Sequence, residues 1–311
     1  MRTEPLSHRP AGIWWGLLGV AAFSFTVPFT KVAVEGMSPL FIGSGRAVLA
    51  ALLAALALGI MRQRLPCGIQ WARLAIIAGG VVVGFPVLTS YALTAVPASH
   101  AAVVTALLPA ATATAAVLRG HERPPVVFWI MSGIGAAVTV AFAAFTSGGL
   151  GGFTWPDLLL LGAVAAGAIG YAEGGLLARD RGSWQVISWA LVVAAPLMVL
   201  LTSIAMIEEP PAASAVQWAA FAYLGVISMV LGFFAWYRGL AIGPMTRVSQ
   251  IQLVQPVLTI AWAALLLGEH LTWPTIVGGL AVVLCAGVAV RTRAGTRSAS
   301  RSRPRTVSPN S

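Results

Sequence analysis

Ten runs of mostly apolar residues, each about 20 residues long, follow one another along this chain of 311 residues. A helix of that length spans the hydrocarbon core of a bilayer, whereas a barrel strand would be a run of about ten residues with alternating hydrophobicity. Only 9% of the residues are charged, against about 25% in a typical soluble domain. The sequence therefore predicts an all-α membrane protein with ten transmembrane helices. We place these helices at residues 13–34, 39–60, 71–93, 99–118, 125–145, 156–178, 184–207, 217–240, 245–267 and 274–290.

One sequence pattern occurs twice, at residues 89–122 and again at residues 236–269. A shift of 147 positions, without gaps, superposes a proline in the opening break, a proline inside the apolar helix and a glutamate at its end. These pairs are Pro97 and Pro244, Pro109 and Pro256, and Glu122 and Glu269. Such a repeat indicates two homologous halves. Because each half holds five helices, an odd number, the second half is predicted to enter the membrane upside down, as in the inverted repeats of many secondary transporters.

Charge and composition predict how the chain is oriented in the membrane and how it divides into segments. Most of the 19 Lys and Arg residues lie in the tails and in every second loop, so the positive-inside rule places both termini in the cytoplasm. The basic, Ser- and Pro-rich C-terminal tail is typical of a disordered segment and not of a nucleic-acid site. Arginine greatly outnumbers lysine, which favours a bacterial protein of the inner (plasma) membrane. The predicted segments are an N-terminal tail at 1–11, a first five-helix repeat at 12–146, a Gly-rich linker at 147–155, a second five-helix repeat at 156–291 and a basic tail at 292–311.

The order of these features resembles the drug/metabolite transporter superfamily, in its ten-helix form with two EamA-like domains. The resemblance covers about residues 12–290 and departs at the first helix, where AAFSFTVPFTK replaces the Trp-Gly followed by Ser of many relatives. The features that carry it are the proline-containing helices ending at 120–122 and 268–273, Arg46 in the second helix, and the Ala-Leu…Pro bends at 92–97 and 240–244. Because one fold serves many substrates, the resemblance does not identify the cargo.

The resemblance implies a secondary transporter that exports a small organic metabolite, such as an amino acid, by alternating access. The expected partners are that substrate and the lipid bilayer, and a monomer and a homodimer both remain open. The sequence has no Walker motif, so ATP coupling within this chain is not expected. Neither Cys67 nor Cys285 has metal-site spacing, and we predict no metal, no cofactor and no enzyme activity. Two alternatives remain: a membrane sensor or scaffold that binds a ligand without moving it, and a membrane-embedded lipid-handling enzyme.

Two charged residues, Glu173 and Arg46, lie well away from the ends of the predicted spans, where an ionisable side chain is costly and therefore faces a cavity or a partner. Glu173, in the sixth span, is a candidate for a proton-titrating or amine-binding group of the cavity. Its alternative is a structural acid paired with a basic residue such as Arg179 or Arg238. For Arg46, in the second span, we expect a gating or structural role, paired with Glu35 or with backbone carbonyls. The alternative is that Arg46 attracts a carboxylate or phosphate of the cargo.

A polar stripe on the ninth span is the clearest candidate for a cargo site. Residues three and four apart share one helix face, and an amide in lipid needs the hydrogen-bond partners that a wet cavity supplies. Prolines inside a helix free carbonyls that bind cargo or water, and aromatic residues offer apolar walls with a polar tip. Contact between helices is the alternative role for all of these. The predicted cavity residues are Ser249, Gln252, Gln255, Thr105, Tyr91, Tyr171 and Trp236, with Pro109 and Pro256 as gating or structural residues.

Overall fold

The structure is a computed structural model that describes residues 9–120, 125–146, 154–242 and 251–301. All regular secondary structure in these ranges is helical, as the sequence predicts. The α-helices are α1 (Arg9–Ser24), α2 (Thr26–Ala33), α3 (Pro39–Ile60), α4 (Gln70–Ile77), α5 (Phe85–Ala92), α6 (Ala98–Thr105), α7 (Leu108–Gly120), α8 (Val126–Thr146), α9 (Trp155–Arg181), α10 (Ser183–Glu208), α11 (Ala215–Ala222), α12 (Phe233–Ile242), α13 (Gln255–Leu267) and α14 (Trp273–Arg301). Two π-helical segments, π1 (Ala78–Gly84) and π2 (Tyr223–Gly232), and a 3-10 segment (Gln252–Val254) join some of them.

Seven helical stretches of the described residues are long and apolar enough to cross a membrane, and three further apolar helices are shorter. Their outer faces carry large apolar side chains such as Leu52 and Leu56, which are 65% and 60% exposed and suit a lipid environment. The seven are Ala11–Ala33, Pro39–Ile60, Gln70–Ala92, Ala98–Arg119, Trp155–Ala178, Ser183–Glu208 and Ala215–Gly239. The shorter three are Val126–Phe142, Gln252–Leu267 and Trp273–Val288. All ten overlap predicted spans, and the membrane crossing of the shorter three stays a prediction.

The two homologous halves of the chain contain helix irregularities at matching positions. The shift of 147 positions carries all of π1 into π2, so the third and eighth predicted spans widen at equivalent places. The same shift carries the short gap between α6 and α7 onto the 3-10 segment that precedes α13. Pro109 and Pro256 are each the second residue of the helix after the break, where a missing backbone N–H costs nothing. These breaks therefore arise from the repeated sequence.

A glycine contact brings π1 close to α9. A Cβ built at Gly80 would overlap the carbonyl oxygen of Ala166 and would lie 3.0 Å from the Cα of Gly170. The neighbouring Gly79 has no atom within 4 Å of the same position, so it faces open space. Small residues at a helix crossing allow backbones to approach at this distance. The contact positions the part of π1 that precedes Val81, a residue that lines an internal cavity.

Candidate functional site

A cavity lies where π1, π2, the junction of α6 and α7, and the 3-10 segment come together. Its volume is about 50 Å³, which is room for roughly four water molecules. Helices α1, α3 and α9 add Phe23, Arg46 and Tyr171 to the wall, and residues of α2, α5 and α12 also line it. Segments that depart from regular α-helical geometry are common at functional sites, and here both π segments and both helix breaks contribute to one wall. This arrangement makes the cavity the leading candidate site.

Equivalent positions of the two halves of the chain line this cavity together. The shift of 147 positions relates five pairs of lining residues to one another. The second copy supplies the more polar member at three of these pairs, so the two walls differ in chemistry although they share a backbone plan. The pairs are Val81 and Ser228, Pro86 and Phe233, Thr105 and Gln252, Leu108 and Gln255, and Pro109 and Pro256.

The hydroxyl groups of the cavity wall are held by hydrogen bonds, to a neighbouring element or, for Thr105, within its own helix. The Oγ1 of Thr26 and the Oγ of Ser228 are 2.8 Å apart and share a hydrogen bond between α2 and π2. Thr259 Oγ1 donates to the backbone oxygen of Ser24 at 2.9 Å, beside the break between α1 and α2. Thr105 Oγ1 donates to the backbone oxygen of Ala101 at 2.8 Å. A hydroxyl that donates once still has lone pairs, so these oxygen atoms can accept a hydrogen bond from a bound ligand.

The guanidinium of Arg46 reaches the cavity from α3 and is 2% exposed. Its Nε and Nη1 atoms are buried and have no hydrogen-bond partner among the described residues. The expected pairing with Glu35 or with backbone carbonyls is therefore not found in that part of the chain. Gly225 of π2 lets α3 approach closely, because a Cβ there would lie 2.7 Å from Cδ2 of Leu49 and 3.3 Å from the backbone oxygen of Arg46.

An aromatic wall stands on one side of the cavity. The rings of Phe23 and Phe233 are 4.9 Å apart between centroids and meet edge to face, and the ring of Tyr171 is 5.8 Å from that of Phe233. Both phenylalanines are buried, at 5% exposure each. Aromatic pairs at these distances are favourable and rigid. The cavity thus joins an apolar wall to a polar one, with a buried cation at its edge.

Glu173 lies outside the cavity lining, although the sequence predicts it there. Both of its carboxylate oxygens bind arginines: Oε1 accepts a short hydrogen bond from Nε of Arg73, and Oε2 accepts one from Nε of Arg119 at 3.0 Å. Glu173 is 3% exposed. This geometry is that of a structural ion pair, the alternative role considered for Glu173. The partners are Arg73 and Arg119 and not Arg179 or Arg238. We call Arg73, Arg119 and Glu173 the Glu173 cluster; it ties α4, α7 and α9 together.

A second set of contacts lies at the N-terminal ends of α6 and α9. The carboxylate of Glu269 accepts hydrogen bonds from the backbone N–H groups of Ala98 at 2.7 Å and Ser99 at 2.9 Å, which caps the N-terminus of α6. Beside it, His100 Nε2 and Asp157 Oδ1 are 2.7 Å apart and join α6 to the first turn of α9. These five residues are called the Glu269 cluster. The equivalent residue Glu122 lies outside the described residues.

The predicted site residues separate into two groups in the structure. Seven line the cavity: Gln252, Gln255, Thr105, Tyr171, Arg46, Pro109 and Pro256. Of the others, Tyr91 is 36% exposed on α5, and Trp236 is buried against α1, where a Cβ on Gly19 would lie 2.9 Å from its backbone nitrogen. Ser249 lies outside the described residues. Sequence reasoning missed Ser228. The shift of 147 positions relates Ser228 to Val81, but this relation points to the cavity only when both π segments are known to line it.

A multi-helix bundle with lipid-suited outer faces and an internal cavity of mixed polarity has the architecture of a membrane transporter. The profile of the EamA-like transporter family matches residues 10–146 and again residues 154–291. The chain therefore belongs to the EamA-like transporter family of the drug/metabolite transporter superfamily, and the resemblance found in the sequence is confirmed. It is a multi-pass membrane protein, and its family members are transporters.

Three comparisons place the chain within and beyond this family. It is 41% identical over 276 residues to YdeK, an uncharacterized transporter of Bacillus subtilis (strain 168), covering 89% of this chain and 96% of that protein. It is 26% identical over 272 residues to a probable terminal-alkyne amino-acid exporter of Streptantibioticus cattleyicolor, covering 86% of this chain and 89% of the exporter. A protein of known crystal structure superposes with a TM-score of 0.62 at 20% identity, over 93% of this chain and 99% of that one, and so shares its fold.

Proposed function

We propose that this protein is a secondary transporter with ten membrane spans in two inverted five-helix repeats. It moves a small organic metabolite, such as an amino acid, across the bacterial inner membrane by alternating access. The observation that carries this proposal is the cavity itself, whose lining pairs equivalent positions of the two repeat copies. A binding site at the interface of two repeats lets the cavity open to either side when one repeat tilts against the other.

The two clusters support a gated cavity. Along α9, Asp157 precedes the cavity residue Tyr171 and Glu173 follows it; along α6 and α7, Ala98 and Arg119 flank Thr105 in the same way. The Glu173 cluster and the Glu269 cluster therefore close opposite ends of the bundle. Because a cavity of about 50 Å³ is far smaller than the roughly 300 Å³ of a typical small-molecule site, we interpret this conformation as one in which the helices have closed around the cavity and leave no room for cargo.

The distribution of arginines orients the proposed transporter. Arg73 and Arg119 of the Glu173 cluster lie at the same end as Arg62, Arg64 and Arg181. The positive-inside rule assigns this end to the cytoplasm, with both termini on that side. The Glu269 cluster then faces the cell exterior. Export is the proposed direction, in line with the name of the amino-acid exporter that is 26% identical to this chain.

Metabolite profiling tests the function without a prior guess about the cargo. Cells that express the protein are expected to release at least one small metabolite faster than cells without it. The matched variant Gln252→Leu replaces a lining amide by an apolar side chain of similar size, and we expect it to reduce that release by roughly tenfold, as for a lost hydrogen bond to a polar ligand. The control Gln63→Leu changes an amide outside the cavity and is expected to leave release unchanged.

Reconstitution separates a transporter from a sensor or scaffold. Purified protein in proteoliposomes is expected to accelerate the flux of the metabolite that profiling identifies. A protein that binds this metabolite in detergent but does not accelerate its flux would be a ligand-binding membrane protein, and the proposal of transport would be wrong. Equal flux through the wild type and Gln252→Leu would instead place the cargo path outside this cavity.

Glu269→Gln is expected to loosen the closed contact at the exterior end. The amide retains the shape of the side chain but loses the negative charge, which interacts favourably with the helix dipole at the N-terminus of α6. A helix cap is worth about 0.5–2 kcal/mol, so the open fraction should rise roughly 2- to 30-fold. The measurement is the rate at which a membrane-impermeant thiol reagent, added outside, labels Thr105→Cys in a background without Cys67 and Cys285. Glu209→Gln, at an exposed position, serves as the control and should not change this rate.

A further inference from the structure

Arg46 presents a buried positive charge to the cavity, and the described residues that line this cavity include no counter-charge. Its side chain is 2% exposed, and its Nε and Nη1 atoms have no partner within the described parts of the chain. A buried ion without a partner is far less favourable than a buried neutral group. Buried polar atoms in native proteins nearly always have a partner, so two unpartnered guanidinium nitrogens at a cavity wall indicate a group that is supplied from outside.

The described residues around Arg46 do not provide that group. None of the residues that line the cavity in the described ranges is Asp or Glu. Glu173, the acid nearest in sequence to the lining residue Tyr171, already binds Arg73 and Arg119 with its two oxygens. Glu269 is likewise engaged with backbone N–H groups of α6 at the exterior end. The acids of both clusters therefore serve other contacts.

We propose that Arg46 binds a carboxylate of the transported molecule, which makes the substrate class small organic monocarboxylates. This rests on the transport function proposed above. A planar guanidinium matches a carboxylate with two parallel hydrogen bonds, and the pair neutralises the buried charge. A phosphate carrying two negative charges would leave one of them unbalanced beside a single arginine. With no acid in the described lining, recognition depends on the carboxylate and not on an ammonium group.

The rest of the lining defines the body of such a molecule. Phe23 and Phe233 form an aromatic wall, and Met229 adds an adaptable apolar surface beside them. On the other side, Thr105 and Gln252 offer hydrogen bonds. The cargo is therefore a carboxylate with a compact apolar body and space for a small polar substituent. An amino acid satisfies this description through its carboxylate, and so does the acid without its amine.

A ligand series on the full-length wild-type protein tests this recognition. The probes are 3-methylbutanoate, leucine and 3-methylbutylamine, which share one apolar body and differ in their charged groups. We expect the carboxylate and the amino acid to raise the melting temperature in detergent and the amine not to do so, with affinities that differ by roughly 10- to 100-fold. If the amine stabilises as well as the carboxylate, or if no probe with a carboxylate stabilises the protein, the proposal is wrong.

Arg46→Met gives a readout that a structural role would not produce. Removing an uncompensated buried charge is expected to raise the melting temperature of the ligand-free protein by roughly 2–4 °C while abolishing stabilisation by 3-methylbutanoate. An arginine that only held helices together would give a lower melting temperature on substitution. The control Arg64→Met, at an exposed position outside the cavity, should leave both measurements unchanged. Stabilisation by 3-methylbutanoate that persists in Arg46→Met would overturn the proposal.

The failure of this inference can be told apart from a failure of the transport function. If Gln252→Leu blocks metabolite release and Arg46→Met does not, the cavity carries cargo but the carboxylate site is wrong. If neither variant changes release while the wild type still binds 3-methylbutanoate in an Arg46-dependent manner, the carboxylate site stands and the proposal that cargo passes through this cavity is wrong.

Discussion

Gly80→Ala is expected to destabilise the protein by about 1–3 kcal/mol, whereas Gly79→Ala is expected to leave its stability unchanged or slightly higher. The added methyl group at position 80 would overlap the carbonyl oxygen of Ala166, and the backbone of α9 cannot yield as a flexible side chain would. At position 79 the methyl group would meet no atom within 4 Å. The measurement is the shift of the thermal unfolding midpoint in detergent, followed by tryptophan fluorescence.

The neighbouring glycine makes this comparison unusually direct. Both substitutions lie on π1 and change the intrinsic helix preference by the same amount, about 1 kcal/mol in favour of alanine. Any difference between the two variants therefore measures the contact between π1 and α9. Equal melting temperatures would show that π1 and α9 do not approach each other through Gly80. The placement of Val81 in the cavity wall would then be wrong.

The repeat in the sequence marks a few of the residues that line the cavity. Superposing the copies pairs Pro109 with Pro256 and Thr105 with Gln252, and both pairs line the cavity in the structure. These residues could be predicted because a proline or an amide inside an apolar run is costly wherever it lies, so a local pattern already marks it. The two π segments were not predictable, because one widened turn leaves hydrophobic periodicity almost unchanged.

The partners of the buried charges could not be predicted from the sequence. Glu173 is 100 residues from Arg73 and 54 residues from Arg119, and only the packing of α4, α7 and α9 brings them together. Sequence reasoning placed Glu173 in the cavity because it could see a carboxylate in a span but not the arginines beside it. For Arg46 the opposite holds: the sequence suggested partners, and the described structure provides none. The two charged residues thus differ in the roles we propose for them.

Glu173→Gln is expected to destabilise the protein by about 1–3 kcal/mol and to open the cytoplasmic end. Removing one member of a fully buried ion pair costs about 3–5 kcal/mol, but the side chains of Arg73 and Arg119 are 21% and 58% exposed, so water compensates part of the loss. The control is Asp180→Asn, whose carboxylate is 68% exposed and 3.8 Å from Arg73; we expect a change below about 0.5 kcal/mol.

Transport by the Glu173→Gln variant distinguishes a closing contact from a proton carrier. Both oxygens of Glu173 are occupied by arginines and neither lines the cavity, so the variant should keep the pH dependence of wild-type transport. Labelling of Thr105→Cys by an impermeant thiol reagent should become faster from the cytoplasmic side alone, whereas Glu269→Gln should accelerate it from the exterior alone. This crossed pattern requires that each cluster closes its own end. Loss of the pH dependence would instead restore the proton-titrating role of Glu173, and faster labelling from both sides in either variant would mean that the clusters stabilise the fold without gating it.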